Sequence, residues 1–383
     1  MTELLDVAVQ QQPVGRLFRD GGEVVFRYLP GLDAGQFVSL TMPVRLRDYV
    51  HDRLHPVFEM HLPEGYLLSV IKRHFAKIVA TDDFGLLSLL SANVRGRLHY
   101  QAAADPSPSL ALDDLLHPRG SGLFDELVQR FALQSPLSGV QPKVLARVLD
   151  KATLKLEDYI VKAWGPEYPQ LALNEYWCMR AVQQAGVPVP GFFLSDDCAL
   201  FIMKRFDIRD DGRYLGFEDL CVLQARQRDD KYSGSYEQVA RTLKLFLSPD
   251  RKTESMQHFF RMMVLSQRLQ NGDAHLKNFG VLYENSANVW LAPAYDVVST
   301  TAYIRNDMSA LTLMGSRKWW AREHLLRFGV DACDLTMKQA RQLYDECVDA
   351  LRVTGAEIER GLADAPADQQ DVLRHLHGLM LSS

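Results

Sequence analysis

The apolar residues of this chain change their period along its length, and that change limits the folds open to it. Leu5-Asp-Val-Ala-Val9, Val14-Gly-Arg-Leu-Phe18 and Val24-Val-Phe-Arg-Tyr28 alternate apolar and polar positions, with Asp20-Gly-Gly22 between the last two. A period of two with a glycine turn predicts a small antiparallel meander. From about Leu46 the period lengthens, and residues 65–75 and 83–91 read as amphipathic helices. Ala102-Ala-Ala-Asp-Pro-Ser-Pro-Ser109, small and proline-bearing, is the best candidate linker. Beyond it, β-rich segments at 144–149, 158–162 and 199–204 surround a helix over 173–184 that Gly186 and Pro188 end. Past about Tyr236 the pattern is mainly helical, over 235–246, 255–270, 318–328, 336–353 and 368–380. A chain of 383 residues exceeds the roughly 250 to 300 at which a single core stops growing, so two or more packed lobes are expected.

Composition narrows the class. The chain is 47% hydrophobic and 24% charged with a net charge of −5, which fits a globular protein and excludes a general affinity for polyanions. Cys178, Cys198, Cys221, Cys333 and Cys347 show no paired short spacing, so neither a zinc site nor a disulfide framework is expected. The acidic start, Met1-Thr-Glu-Leu-Leu-Asp6, does not read as a signal peptide, and no run of about 18 apolar residues occurs. A cytoplasmic chain with no membrane association is the expectation.

The chemistry-bearing residues cluster in Asn271-Gly-Asp-Ala-His-Leu-Lys-Asn-Phe279 and Ala294-Tyr-Asp-Val-Val-Ser299. Asp273 and Asn278 are five positions apart, the interval of a protein-kinase catalytic loop, and Asp296 follows where a metal-binding carboxylate would sit. Mg²⁺ prefers carboxylate and amide oxygens together with nucleotide phosphate oxygens, so Asn278 and Asp296 are candidate metal ligands. Asp273 is the candidate base, placed to orient an acceptor hydroxyl and take its proton. Any one of these could be a solvated loop residue; three in register point to phosphoryl transfer. His275 reads as a hydrogen-bonding residue beside the cofactor rather than a metal ligand, since no second His stands at ligand spacing.

Lys162 ends the apolar run Tyr159-Ile-Val161 at a strand edge, and Glu175 on the next helix is its natural partner for holding a cation against the α- and β-phosphates of ATP. Ser138-Gly-Val-Gln-Pro-Lys143 could cover those phosphates, but it has one glycine, and Pro142 lacks the N–H an anion-cradling loop would use. Ser138, Gly139, Gln141 and Lys143 are its candidate contacts. Phe206, in Met203-Lys-Arg-Phe-Asp207, stands where a hinge would meet the adenine, with a strand-ending turn as the plainer alternative.

Taken in order, residues 138–143, Tyr159–Lys162, the helix and turn over 174–190, Met203–Asp207, Asn271–Phe279 and Pro293–Ser299 closely resemble the HipA family of bacterial serine/threonine kinases. Those kinases are the toxins of type II toxin-antitoxin modules. The stretch from His55-Pro56 to Leu62-Pro63-Glu64-Gly65 resembles the family's N-terminal subdomain. The resemblance implies an α+β, two-lobed protein-kinase-like fold related to the phosphatidylinositol kinases. It would have a mixed β N-lobe, an all-α C-lobe and an N-terminal α+β subdomain. The implied boundaries are 1–101 for the subdomain, 102–122 for a linker, 123–234 for the N-lobe and 235–383 for the C-lobe. ATP and Mg²⁺ would be the cofactors, with Lys162 as the ATP lysine, Asp273 the catalytic Asp, Asn278 and Asp296 the metal ligands, and Phe206 a hinge contact.

The resemblance also implies partners and control. The substrate would be a protein serine, as in an aminoacyl-tRNA synthetase, and a HipB-like helix-turn-helix antitoxin would bind the kinase and carry most of the DNA contact. The family's inhibitory autophosphorylation site falls on or beside Pro136, so Ser135 and Ser138 are both candidates; phosphate there would compete for the cations that hold ATP. A small-molecule kinase and a catalytically weak co-repressor subunit bound to the antitoxin are the competing readings.

Overall fold

The computed structural model describes residues 4–62, 82–91, 94–100, 110–118, 143–150 and 155–382. The expected helix over 65–75, the candidate linker 102–109, and Ser135, Ser138, Gly139 and Gln141 lie outside the described residues. The chain folds as two packed units with interleaved sequence. One comprises Met1–Ala163, Ile202–Asp229 and Leu282–Ser286; the other comprises Trp164–Phe201, Asp230–Val281 and Ala287–Ser383.

The first unit opens with the expected meander: β1 (Leu4–Val9), β2 (Gln12–Asp20) and β3 (Glu23–Tyr28) pair antiparallel. Alternation decides the faces, since Leu5, Val7 and Val9 are buried while Leu4 and Asp6 are exposed. β4 (Tyr49–His51) and β5 (Leu98–Tyr100) complete a sheet in the order β4-β3-β2-β1-β5. A short helix, α1 (Pro56–Glu59), and α2 (Asp83–Leu90) accompany it. The helical period expected over 83–91 is present, but α2 is a core helix rather than an amphipathic one. Phe84, Gly85, Leu86, Leu87 and Leu90 are all buried, and the Asp82 carboxylate caps its start from 2.9 Å.

Residues 110–116, within the segment expected as a linker, form β6 (Leu110–Ala111) and α3 (Leu112–Leu116). β6 runs parallel to β7 (Lys143–Asp150), which pairs antiparallel with β8 (Lys155–Ala163) in a register that sets Lys143 opposite Lys162.

A buried carboxylate ties distant segments of this unit together. Glu218, on β11 (Gly216–Asp219), which follows β10 (Leu200–Lys204) and precedes α5 (Leu220–Leu223) in the chain, is fully buried and accepts from Leu40 N at 2.9 Å, Tyr283 hydroxyl at 2.7 Å and Ser39 hydroxyl at 2.9 Å. The Tyr283 ring stacks on Phe37 at 5.6 Å, and the Arg97 guanidinium lies over both rings while donating to Phe37 O. A Cβ at Gly216 would sit 2.1 Å from the Tyr283 ring, so the close approach requires glycine. Burial raises the Glu218 pKa to about 7, against the opposing hydrogen bonds from Leu40, Tyr283 and Ser39 and the charge of Arg97.

The second unit is mainly helical. It holds β9 (Phe192–Leu194), α4 (Leu171–Gln184), α6 (Tyr236–Phe246), α7 (Pro249–Arg268), α8 (Arg322–Asp331), α9 (Met337–Leu362) and α10 (Ala367–Leu381). α7 is the core element, burying Met256, Phe259, Phe260, Met263, Val264 and Leu265 against α4, α6 and α9. It begins at Pro249, six residues before the apolar period becomes visible, because proline is favoured at the first helical position. Ser235 with Gln238 and Thr336 with Gln339 form capping boxes that start α6 and α9 where the sequence places them. Two strands, β12 (Gly280–Asn285) and β13 (Asn288–Leu291), also lie in the mainly helical second half.

The raised pKa of Glu218 gives the first unit a pH signature. An acid whose folded pKa exceeds its unfolded value stabilises the fold below the unfolded value and loses that contribution as pH rises through the folded one. Between about pH 4.5 and 7 this group therefore removes up to roughly 3 kcal/mol. Denaturant unfolding of Glu218→Gln across pH 5 to 8 is expected to give a flatter stability curve than wild type.

Candidate active site

Two loops of the second unit carry the chemistry. The first leaves α7 through Gln270, whose φ of +53° turns the chain sharply. Asn271, 2% exposed, donates from its backbone to Ser266 O at 2.8 Å and accepts Asp273 N on Oδ1 at 3.0 Å. Gly272 N donates to Thr300 Oγ1 at 2.8 Å, and that hydroxyl donates to Gln270 O. Any side chain at Gly272 would meet Asp307 Oδ2 at 2.1 Å and Thr300 Oγ1 at 2.6 Å, so glycine lets the second loop close on the first. Further on, Tyr236 hydroxyl donates to Ala274 O at 3.0 Å and Leu276 N to Lys231 O at 3.0 Å. The loop is thereby fixed residue by residue, as a largely buried backbone must be.

This scaffold presents Asp273 at the surface, its side chain 41% exposed. The Tyr232 hydroxyl donates to Asp273 Oδ1 at 2.5 Å, and the Tyr232 ring stands edge-on to His275 at 5.0 Å. His275 itself is buried, with Nε2 3.9 Å from the same carboxylate oxygen. A hydroxyl donor already occupies the carboxylate lone pair that a general base would offer to an acceptor hydroxyl.

A single 3₁₀ turn over Leu276–Asn278 then buries Asn278 to 4% exposure. Its Nδ2 donates to Asp296 Oδ2 at 3.1 Å, while its Oδ1 is buried with no hydrogen-bond partner. Asp296 adopts φ +60°, a left-handed conformation that few non-glycine residues take. Tyr295 hydroxyl donates to Lys277 O at 2.7 Å and joins the two loops just before it. Asn278, Asp296, Ser266, Asn271 and Val182 line one pocket.

The donor chemistry fits Mg²⁺. An unpartnered buried amide oxygen beside a carboxylate offers two hard oxygen ligands. Among the described residues no group of three or more His, Cys, Asp or Glu could hold a metal. A cation here would take the rest of its shell from water and phosphate, which is the habit of Mg²⁺.

The remaining expected residues fall as follows. Asp273, His275, Asn278 and Asp296 come together in the second unit, where Glu175, on α4, is fully buried. Lys162, on β8 of the first unit, is 2% exposed, with Lys143 as its cross-strand register partner. Phe206, also in the first unit, is half-buried with its ring edge-on to Phe217 at 5.5 Å. The motif reading missed Tyr232, Thr300 and Asn174, whose contacts span 41, 28 and 125 residues of sequence, beyond the reach of local spacing.

Residues 5–101 match the HipA N-terminal domain and residues 135–354 the HipA-like C-terminal domain. The chain is 28% identical over 288 residues, 69% of its length, to "Putative kinase Y4dM" of Sinorhizobium fredii, and the match spans 66% of that relative. It is 29% identical over 184 residues, 44% of its length, to a "Putative kinase" of Haemophilus influenzae, covering 53% of that protein. It thus spans between half and two thirds of these relatives. Among solved structures it is similar to HipA in a toxin-antitoxin complex of HipA, HipB and operator DNA from Shewanella oneidensis MR-1. That match has a TM-score of 0.75 at 17% identity and covers 99% of this chain and 96% of the other. The fold is mixed α+β and kinase-like, as the sequence predicts, and among the described residues no helix is long and apolar enough to cross a membrane. With the C-terminal family match covering more than half of it, this chain belongs to the HipA family.

Proposed function

We propose that the chain is an ATP- and Mg²⁺-dependent serine/threonine protein kinase that acts as a HipA-like growth-arrest toxin. The observation that carries this reading is the constellation in the second unit: Asp273 exposed at the surface, with Asn278 and Asp296 joined by a hydrogen bond beneath the same loop. In this reading Asp273 accepts the proton of the acceptor hydroxyl, in the position where it now accepts that of Tyr232. Asn278 Oδ1 and Asp296 hold the cation, which offsets charge on the transferring phosphoryl group. Lys162 is assigned to the ATP phosphates and Glu175 to the nucleotide end of the site; each is buried in its own unit.

The segment from Ser135 to Lys143 is assigned the phosphate-covering role, Phe206 the adenine contact, and Ser135 or Ser138 the inhibitory autophosphorylation. An acceptor protein of the translation apparatus, such as an aminoacyl-tRNA synthetase, and a HipB-like antitoxin that carries the DNA contact complete the proposal. Membership of the HipA family and the complex formed by the Shewanella protein support it.

Incubation of wild type and Asp273→Ala with Mg-ATP and a bacterial cytosolic extract, followed by phosphopeptide mass spectrometry, tests the activity. Phosphoserine or phosphothreonine made by wild type alone is expected, with transfer by the variant down about 10²- to 10⁴-fold. Its thermal midpoint should move by no more than a few degrees, since Asp273 is largely a surface group. ATP turnover without a phosphopeptide would replace the protein acceptor with a small molecule. Separately, Asn278→Ala should raise the Mg²⁺ concentration for half-maximal ATP turnover by about tenfold or more, read from a metal titration at saturating ATP.

A further inference from the structure

Asp296 holds an uncommon left-handed backbone conformation, and such a conformation persists only where the flanking chain is fixed on both sides. Upstream, Tyr295 hydroxyl binds Lys277 O, and Ala294 N donates to Pro188 O at 2.8 Å. Downstream, the anchor is a side chain from a different element. Asn174, on α4, donates from Nδ2 to Ser299 O at 2.9 Å and accepts Ser299 N on Oδ1 at 2.8 Å. Asn174 is fully buried, and its remaining contacts are Cys178 Sγ at 3.4 Å and Tyr303 hydroxyl at 3.5 Å. From α10, His375 Nε2 meets Thr301 Oγ1 at 3.0 Å and Ser299 Oγ at 3.3 Å.

A primary amide is the side chain that can give and accept one hydrogen bond with the same backbone residue, as a neighbouring strand would. Asp lacks the donor, and an aliphatic residue leaves both backbone groups of Ser299 buried and unpaired. Asn174 also precedes Glu175 on the same helix. A displacement of α4 therefore pulls on the chain three residues beyond Asp296. We propose that Asn174 is a positioning residue that locks the metal-ligand loop to α4, so that the orientation of Asp296 and the placement of Glu175 are set together.

This inference rests on the kinase reading, and binding measurements separate the two. Mn²⁺ affinity in the presence of a non-hydrolysable ATP analogue is measured by electron paramagnetic resonance for wild type, Asn174→Ala and the near-isosteric Asn174→Asp. Wild type is expected to bind, and both variants to bind Mn²⁺ at least tenfold more weakly while keeping a cooperative unfolding transition. For Asn174→Asp the deficit relative to wild type should narrow as pH falls, because a protonated carboxyl regains the donor to Ser299 O. If Asn174→Ala does not fold, Asn174→Asp alone carries the comparison. Wild-type affinity in a folded variant overturns the positioning role. No Mn²⁺ binding by wild type would instead overturn the kinase reading.

Discussion

A loop that lies inside a protein must find partners for its backbone N–H and C=O groups without water, and the second unit is organised around that requirement. Residues 270–279 and 294–303 are irregular, yet side chains bind their backbone at Asn271, Thr300, Tyr236, Tyr295 and Asn174. These partners come from the loops themselves and from α4 and α6, so the helices serve as a frame for two non-helical segments. The large residues of α7 give that frame its rigidity, because a close-packed core does not yield by small amounts. Placement of a carboxylate at Asp273 and of two oxygen ligands at Asn278 and Asp296 thus follows from hydrogen-bond accounting.

Much of this was legible in the sequence, for physical reasons that differ between segments. The meander announces itself because each strand has one wet face, and α6 and α9 because their capping boxes are local chemistry. α4 lies where Gly186 and Pro188 require it to end. α2 differs in character because a helix buried nearly all round has no apolar stripe, and α7 starts early because its first turns, Pro249–Glu254, are polar. At the site, the interval from Asp273 to Asn278 is a property of one turn and is written locally. The Asn174 to Ser299 pair spans 125 residues and becomes visible only after folding.

The first unit solves a related problem differently. Glu218 is a buried carboxyl surrounded by donors from two separate stretches of chain, and Arg97 supplies positive charge through two aromatic faces rather than by direct pairing. Such an arrangement specifies geometry at the expense of stability, since burying a charge costs more than burying an apolar isostere. The segment at Ser39-Leu40 and β11 are consequently held in a single relative register, with Gly216 making room for the ring that completes it.

The interleaving of the two units has a consequence for how the chain is made. Its path passes between them five times, and Leu282–Ser286 of the first unit lies between stretches of the second. A ribosome delivers residues strictly in order, so a nascent chain of between 218 and 282 residues has Glu218, Ser39 and Leu40 but lacks the phenol of Tyr283. The first unit to begin is therefore not the first that can be finished before the second is well under way. Shortening the gene from its 3′ end past residue 286 removes a piece of the earlier unit long before it reaches that unit's main stretch, which ends at Ala163.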